Sequence, residues 1–422
     1  MSPKTFLIIG TAFHSLTDYL TKNDHRYVVL KDQLLTKFSD KQFKHRVVCD
    51  FSSRETMLSA VDEATQHYTI DGVLVTYEHY VRFAAEIAAY LGLPGLPVEA
   101  VAACTDKFLM RQRFASASEP ISPAFAVVTK QIDVETFAAA HTFPIMLKPA
   151  NLSKSLLVFK NDSLPELIKN YQKLMTLIEA VYKRYAPGVP PKIIIEEFME
   201  GPVHSVDAFV DKQGVPHILQ QIVDYQTGYE IGYNDNFHYS RQLPSKLSDE
   251  ERSAIIHIAE IGCRTLGMKS SPAHIEIIRT LDGPQIVEIG ARNGGYRERM
   301  HILADGIDIT GNALRLALGE MPDILTTKHD SAGVFELFPK EPGTFMGIAG
   351  ERMLRSCSSF VELSLHAQTG DFVGKSSDGF KMCAMVLLHN SDPQKFSADV
   401  AYLNEQVYVL TSAVSAEVVL TD

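Results

Sequence analysis

Short apolar runs separated by stretches of helical spacing open the chain. Positions 5–10, TFLIIG, read as a buried strand entering a Gly-Thr-Ala turn. Positions 27–30 form a second strand after a helix-compatible stretch. Positions 72–76 form a third, which ends in Tyr77-Glu78-His79-Tyr80 and feeds a helix to Leu91 before the GLPGLP break. This βαβ alternation predicts a parallel α/β sheet. The turn from Gly10 to Ser15 lacks the spaced glycines of a dinucleotide fingerprint, so bound NAD is not expected. Glu78 stands where a strand's C-terminal end could touch a ligand, although it reads first as a helix-starting acid.

After the break, Thr105-Asp106 caps a helix running from Lys107 to about Ala115. Strands follow at 124–128 and 144–148. The second ends on Lys148, and a lysine closing a buried strand is placed to meet an anion. If it binds phosphate, the next polar segment, with Ser153, Lys154 and Ser155, covers that phosphate. Ser163-Leu164-Pro165-Glu166 is a capping box opening a helix to about Tyr185. A strand at 192–195 leads into Glu196-Glu197-Phe198-Met199, and another spans 204–210. The stretch 228–247, with Asp235, His238, Tyr239 and Arg241, reads as an irregular polar loop of the kind that closes over substrate. Ser248 then caps a helix to about Leu266. Beyond Pro322, alternating strands at 332–338, 360–365 and 381–389 and a helix at 393–407 suggest a small α+β subdomain.

The densest chemistry lies at 273–299, AHIEIIRTLDGPQIVEIGARNGGYRER. His274, Glu276 and Ile278 share one face of the first strand. Glu288 sits between Val287 and Ile289 in the second. A three-residue loop at Leu281-Asp282-Gly283 would set Glu276 opposite Glu288, whereas a two-residue turn would make them diagonal neighbours. Facing carboxylates destabilise a half-buried pairing unless a cation lies between them. Oxygen donors with no nearby cysteine suit Mg²⁺ or Mn²⁺. Arg292, followed by Asn293-Gly294-Gly295, adds a bidentate donor and backbone that tolerates close approach, which fits phosphate. The competing interpretation is a solvated hairpin with surface glutamates.

Composition narrows the field. At 422 residues two or three domains are expected. Asp and Glu outnumber Lys and Arg by 51 to 40, and no basic cluster with interleaved aromatics occurs, so nucleic acid is not an expected partner. The five cysteines are scattered and never spaced as CxxC, which argues against disulfides and structural zinc and fits a cytoplasmic setting. No apolar signal segment or membrane span is read, so no membrane partner is expected.

Taken in order, the N-terminal α/β unit, Thr105-Asp106-Lys107, IMLKPA, IIIEEFMEG with SVD, AHIEI and VEIGARNGG resemble the ATP-grasp superfamily, in its carboxylate–amine ligase branch with the L-amino-acid ligases. The resemblance covers most of the chain. It implies a Rossmann-like α/β domain over 1–100, an ATP-grasp domain over 101–325 and a C-terminal α+β subdomain over 326–422. It further implies Mg²⁺ on Glu276 and Glu288, ATP phosphates on Lys107 and Lys148 under Ser153 and Ser155, and adenine at Glu196, Glu197 and the main chain of Phe198 and Met199. His204 would be left as the polar candidate for the ribose. Arg292 would stabilise the transferred phosphoryl group, with Lys107 and Lys148 assisting catalysis, and Tyr296, Arg297, Arg299 and His301 would line the acceptor pocket. The implied reaction joins an acid and an amine, with amino acids the expected substrates, through an acyl phosphate, with ADP and phosphate released, and the resemblance allows a homodimer. The chain departs from the family in its glycine-free segment 151–156 and in Gly290, where many members carry Asn. A biotin-type carboxylase subunit and a non-catalytic nucleotide-binding regulator are the alternatives.

Overall fold

The structure is a computed structural model that describes residues 2–33, 45–152, 156–186, 188–233, 235 and 237–412. Strands β1 (Thr5–Gly10), β2 (Arg26–Asp32), β3 (Arg46–Cys49) and β4 (Gly72–Val75) make a parallel sheet in the order β3-β2-β1-β4. The strand expected third is therefore the fourth. β3 carried little signal because it is a four-residue edge strand, buried only at Cys49. Leu7 and Ile9 pack toward one layer of helices. Phe6 and Ile8 pack toward helix His14–Lys22 and, from far along the chain, helix Ile309–Ala317. Because β2 and β4 flank β1 on opposite sides, the C-terminal ends of β1 and β4 form the crevice where open α/β sheets bind ligands. Glu78 follows β4 directly.

The second sheet is antiparallel, in the order β5 (Phe125–Val128), β8 (Ile193–Glu197), β6 (Ile145–Pro149), β7 (Phe159–Asn161). Ile145, Leu147, Ile193 and Ile195 pack against helices Gln131–Ala140 and Leu164–Tyr185, leaving Lys148 and Glu196 on the other face. The expected capping box does not form here. Glu166 accepts a hydrogen bond from the Asp162 amide at 2.9 Å, one residue before the cap, and the Ser163 side chain makes no cap bond.

The main sheet has nine strands. Its order is β14 (Gly283–Gly290), β13 (Ser271–Thr280), β9 (Val203–Val210), β11 (Val223–Thr227), β12 (His238–Leu243), β15 (Ser331–Leu337), β19 (Ala384–Asn390), β17 (Phe360–Leu365), with β10 (Pro216–Ile218) paired to β9. Val206, Ala208, Ile275, Ile277, Ile286 and Ile289 fill one side of it, under helix Asp249–Thr265. Ser248 and Glu251 close the capping box of that helix. Two expectations change. The stretch 228–247 is not all loop, since β12 is a buried member of the sheet. The strands beyond Pro322 do not stand apart either: β15, β19 and β17 complete the same sheet, and only β16 (Gly343–Ala349), β18 (Phe372–Val373) and β20 (Tyr408–Ser412) make a separate small one. No helix among the described residues is long and apolar enough to cross a membrane.

Candidate functional site

Thr280 pairs with Gly283, so the hairpin tip is Leu281-Asp282 alone. A regular ladder from that tip would oppose Glu276 with Val287. The register shifts between Glu276 and Ile277, Val287 is left as the extra residue, and Glu276 pairs with Glu288. The two acids face each other through a two-residue turn plus a β-bulge, in place of the expected three-residue loop. Arg111 Nη2 donates to the freed Val287 carbonyl at 2.9 Å.

Residues directly opposite in antiparallel strands share a face. Ser205 therefore joins Glu276, and Asp207 joins His274. Asp207 organises this part of the sheet: Oδ1 lies 2.8 Å from His274 Nδ1, and Oδ2 accepts from Arg297 Nε at 3.0 Å. Arg297 Nη2 also donates to Ser205 Oγ at 2.8 Å and Tyr225 Oη at 2.7 Å. Burial works against a charged imidazole, but the carboxylate of Asp207 prevails and lifts His274 to about 10. His274 Nε2 then faces Glu276 Oε1 at 3.6 Å. Burial alone would raise the Glu276 carboxyl; the His274 imidazole facing it and the nearby cations hold it well below the usual carboxylate range. Gly294 lets the following loop lie against this pair, since a Cβ there would come within 2.5 Å of His274 Nδ1.

Four expected site residues have different placements. Arg297 is 1% exposed and His301 0%, and both are tied to acids, Arg297 to Asp207 and His301 Nδ1 to Asp305 Oδ2 at 2.7 Å. They support the sheet face from below and do not line a pocket. His204 is on the opposite face with Asp224, at 2.9 Å, because one step along a strand reverses the side. Arg299 is half-exposed and pairs with Glu362 at 2.5 Å. Tyr296 stays with the site face: its backbone is left-handed, at φ 65°, and its ring lies under the Arg241 guanidinium, which binds Glu336 at 2.8 Å.

On the second sheet's side, Asp106 caps helix Lys107–Phe114 by accepting from the Phe108 and Leu109 amides. This fixes Lys107, whose Nζ lies 2.8 Å from Glu288 Oε2 and donates to the Leu152 carbonyl at 2.9 Å. Against the burial penalty, Lys107 holds Glu288 ionised. Glu196 is 1% exposed, bound by Arg111 Nε at 2.8 Å and Lys148 Nζ at 2.5 Å. Burial would raise its carboxyl, but those two cations bring it down to about 2. With both oxygens engaged, Glu196 is the counter-ion of Lys148 and not an open contact for adenine. Glu197, half-exposed and 2.8 Å from His141 Nδ1, and the main chain of Phe198 and Met199 remain at that edge. Ser153 and Ser155 lie outside the described residues.

Residues weighted lightly or missed complete the picture. Glu78 Oε2 accepts from Arg292 Nε at 3.0 Å, and Arg292 Nη1 donates to the Asn293 carbonyl at 3.0 Å. Burial raises the Glu78 carboxyl, against the pull of Arg292. Arg111, Asp207 and His274 had a sequence signal, standing four after Lys107, within SVD, and two before Glu276. Arg241 and Glu336 had none, as their pairing crosses β12 and β15. The described residues hold no cluster of three or more His, Cys, Asp or Glu side chains arranged to hold a metal unaided. The donors fit a hard cation all the same. Two ionised oxygen donors face each other, and they would hold an ion such as Mg²⁺, which takes the rest of its ligands from water or phosphate oxygens.

Residues 141–298 match the ATP-grasp domain family. The chain is 28% identical to a D-alanine–D-alanine ligase of Marinobacter nauticus, over 43% of this chain and 54% of that protein. It is 24% identical to dapdiamide A synthase of Enterobacter agglomerans, over 63% and 59%. The structure superposes on an L-amino acid ligase from Bacillus licheniformis with a TM-score of 0.79 at 20% identity, covering 97% of this chain and 99% of that one. Matches to the first curated relatives span between 54% and 66% of those proteins' lengths. With these likenesses added to its motifs and its sheet architecture, residues 141–298 form an ATP-grasp domain, and the chain is similar to carboxylate–amine ligases that carry one.

Proposed function

We propose that the protein is an ATP-dependent carboxylate–amine ligase that makes an amide or peptide bond through an acyl phosphate. The observation that carries this reading is the pairing of Glu276 with Glu288 between a lysine on one side and an arginine on the other. Mg²⁺, when bound, would neutralise and orient the triphosphate. Lys107 and Lys148 would hold phosphate oxygens, Lys107 leaving Glu288 as the cation arrives. Glu197, Phe198 and Met199 would form the adenine edge, and the segment carrying Ser153 and Ser155 would cover the phosphates. The acid's oxygen attacks the γ-phosphorus and the bond to ADP breaks; the amine nitrogen then attacks the acyl carbon, phosphate leaves with the C–O bonding pair, and the amine loses a proton. Arg292 would stabilise the charge that develops in both steps. Tyr296 and Arg241 border the acceptor side. Amino acids are the proposed substrates, supported by the amino-acid ligation stated in the names of two of the relatives. A cytoplasmic enzyme with domains at 1–100, 101–325 and 326–422 is the organisation we propose, the last two sharing the main sheet.

The test uses hydroxylamine in place of the amine. With Mg²⁺, ATP and a panel of amino acids, the expected result is ADP release together with the acid's hydroxamate. ADP release without hydroxamate, accompanied by fixation of labelled bicarbonate, would favour a carboxylase. No ADP release with any acid would leave a nucleotide-binding regulator.

A further inference from the structure

We infer that Glu78 is the positioning residue for Arg292, reaching it from the N-terminal sheet through a space that Gly290 leaves open. The inference rests on the ligase reading for the role of Arg292, but its geometry is independent. Gly290 lies two residues after Glu288 on the same strand face, so a side chain there would point into the site. An ideal Cβ at 290 would stand 3.0 Å from Glu78 Oε2 and 3.7 Å from Arg292 Cζ and Nη2. The volume a side chain would take is filled instead by a carboxylate from another sheet.

Glu78 occupies that volume because of the crevice. It follows β4, in the short helical turn Glu78–Tyr80, at the switch point between β1 and β4. Its Oε2 accepts from Arg292 Nε at 3.0 Å while Nη1 donates to the Asn293 carbonyl. Two of the guanidinium's donors are thus fixed by protein, while Nη2 meets no acceptor among the described residues. A planar guanidinium held at Nε and one Nη can aim the remaining Nη in one direction only, which is the preorganisation that charge stabilisation requires. An arginine anchored by the Asn293 carbonyl alone would rotate about its side-chain bonds. Misplacement of about 1 Å is enough to cost ~10²-fold in an oriented reaction.

The experiment compares affinity for Mg·ADP alone with affinity for Mg·ADP plus aluminium fluoride, a mimic of the transferring phosphoryl group, by calorimetry on the full chain. Glu78→Ala should leave Mg·ADP affinity within about twofold and weaken the fluoride complex by roughly 10- to 100-fold, the usual range for removing an outer support of a site. Glu78→Gln, which keeps an oxygen to accept from Nε, should restore most of that loss. Gly290→Ser should imitate Glu78→Ala, and the double variant Glu78→Ala/Gly290→Ser should be no worse than the poorer single, because both act through one displaced carboxylate. Wild-type fluoride affinity in Glu78→Ala, a Gln variant as poor as Ala, or losses that multiply in the double variant would each overturn the inference. A wild-type protein that binds no Mg·ADP would instead sink the nucleotide reading and take this inference with it.

Discussion

Glu288→Gln and Glu276→Gln are each expected to lower Mg²⁺-dependent turnover by about 10³-fold or more with the fold intact, a loss of ~4 kcal/mol or more in transition-state stabilisation. Either amide keeps the shape of the acid and removes one of two charged oxygen donors. The described residues hold no cluster of three or more His, Cys, Asp or Glu side chains that could compensate. Folding should not suffer, because the acids burden each other: the charge of Glu276 pushes the Glu288 carboxyl up against the pull of its cations. Removing either charge relieves that repulsion. In Glu288→Gln, Lys107 loses its 2.8 Å partner but keeps the Leu152 carbonyl. In Glu276→Gln, His274 keeps Asp207. Thermal unfolding without metal, read beside hydroxamate formation with Mg²⁺, separates stability from function. Near-normal turnover in Glu288→Gln would remove the hairpin from the chemistry.

Arg292→Ala is the second large effect, expected to depress kcat by ~10² to 10³ with a much smaller change in ATP affinity. Negative charge gathers first on the phosphoryl oxygens and then on the tetrahedral centre, and a guanidinium already fixed in place acts on both without reorganising. Loss of one such donor typically costs about 3 to 4 kcal/mol. Arg292→Lys should recover little, because an ammonium cannot bind Glu78 and the Asn293 carbonyl in one plane and still reach the substrate. Single-turnover kinetics checks this. An equal rise in KM and fall in kcat/KM, with kcat untouched, would assign Arg292 to ground-state binding.

Much of the site was legible because strand alternation and local order carry it. Glu276 and Lys148 point where a two-residue period sends them, Glu288 does so beyond the bulge, and Lys107 and Arg292 stand in short motifs at a helix start and just after a strand. Failures came where the period was not applied or where partners are distant in sequence. His204 was chosen for polarity, although its place one step from Ser205 on β9 puts it on the far side. Arg297 and His301 read as exposed basics at a helix start, and nothing local reveals the buried Asp207 and Asp305 that hold them. Glu196 looked like an open acid until Arg111 and Lys148 were seen to claim both oxygens. Glu78 was visible only as a strand-end acid, because its partner is Arg292, far along the chain.

The bulge at Val287 locates the hairpin's reference point. Registration of the two acids is set on the sheet side of the bulge, where Arg111 holds the Val287 carbonyl, and not at the tip, where Leu281 is fully exposed at 106%. The tip is therefore a free handle: a loop, a peptide tag or a fluorophore-bearing insert grafted between Thr280 and Gly283 would lengthen the hairpin without moving either carboxylate. Loss of Val287 itself would remove the bulge and leave Glu288 opposite Glu276 in a regular ladder, but without the carbonyl that Arg111 holds. Length can vary at the tip, while at Val287 an insertion, which adds a second unpaired residue, shifts the acids and a deletion costs only the grip of Arg111.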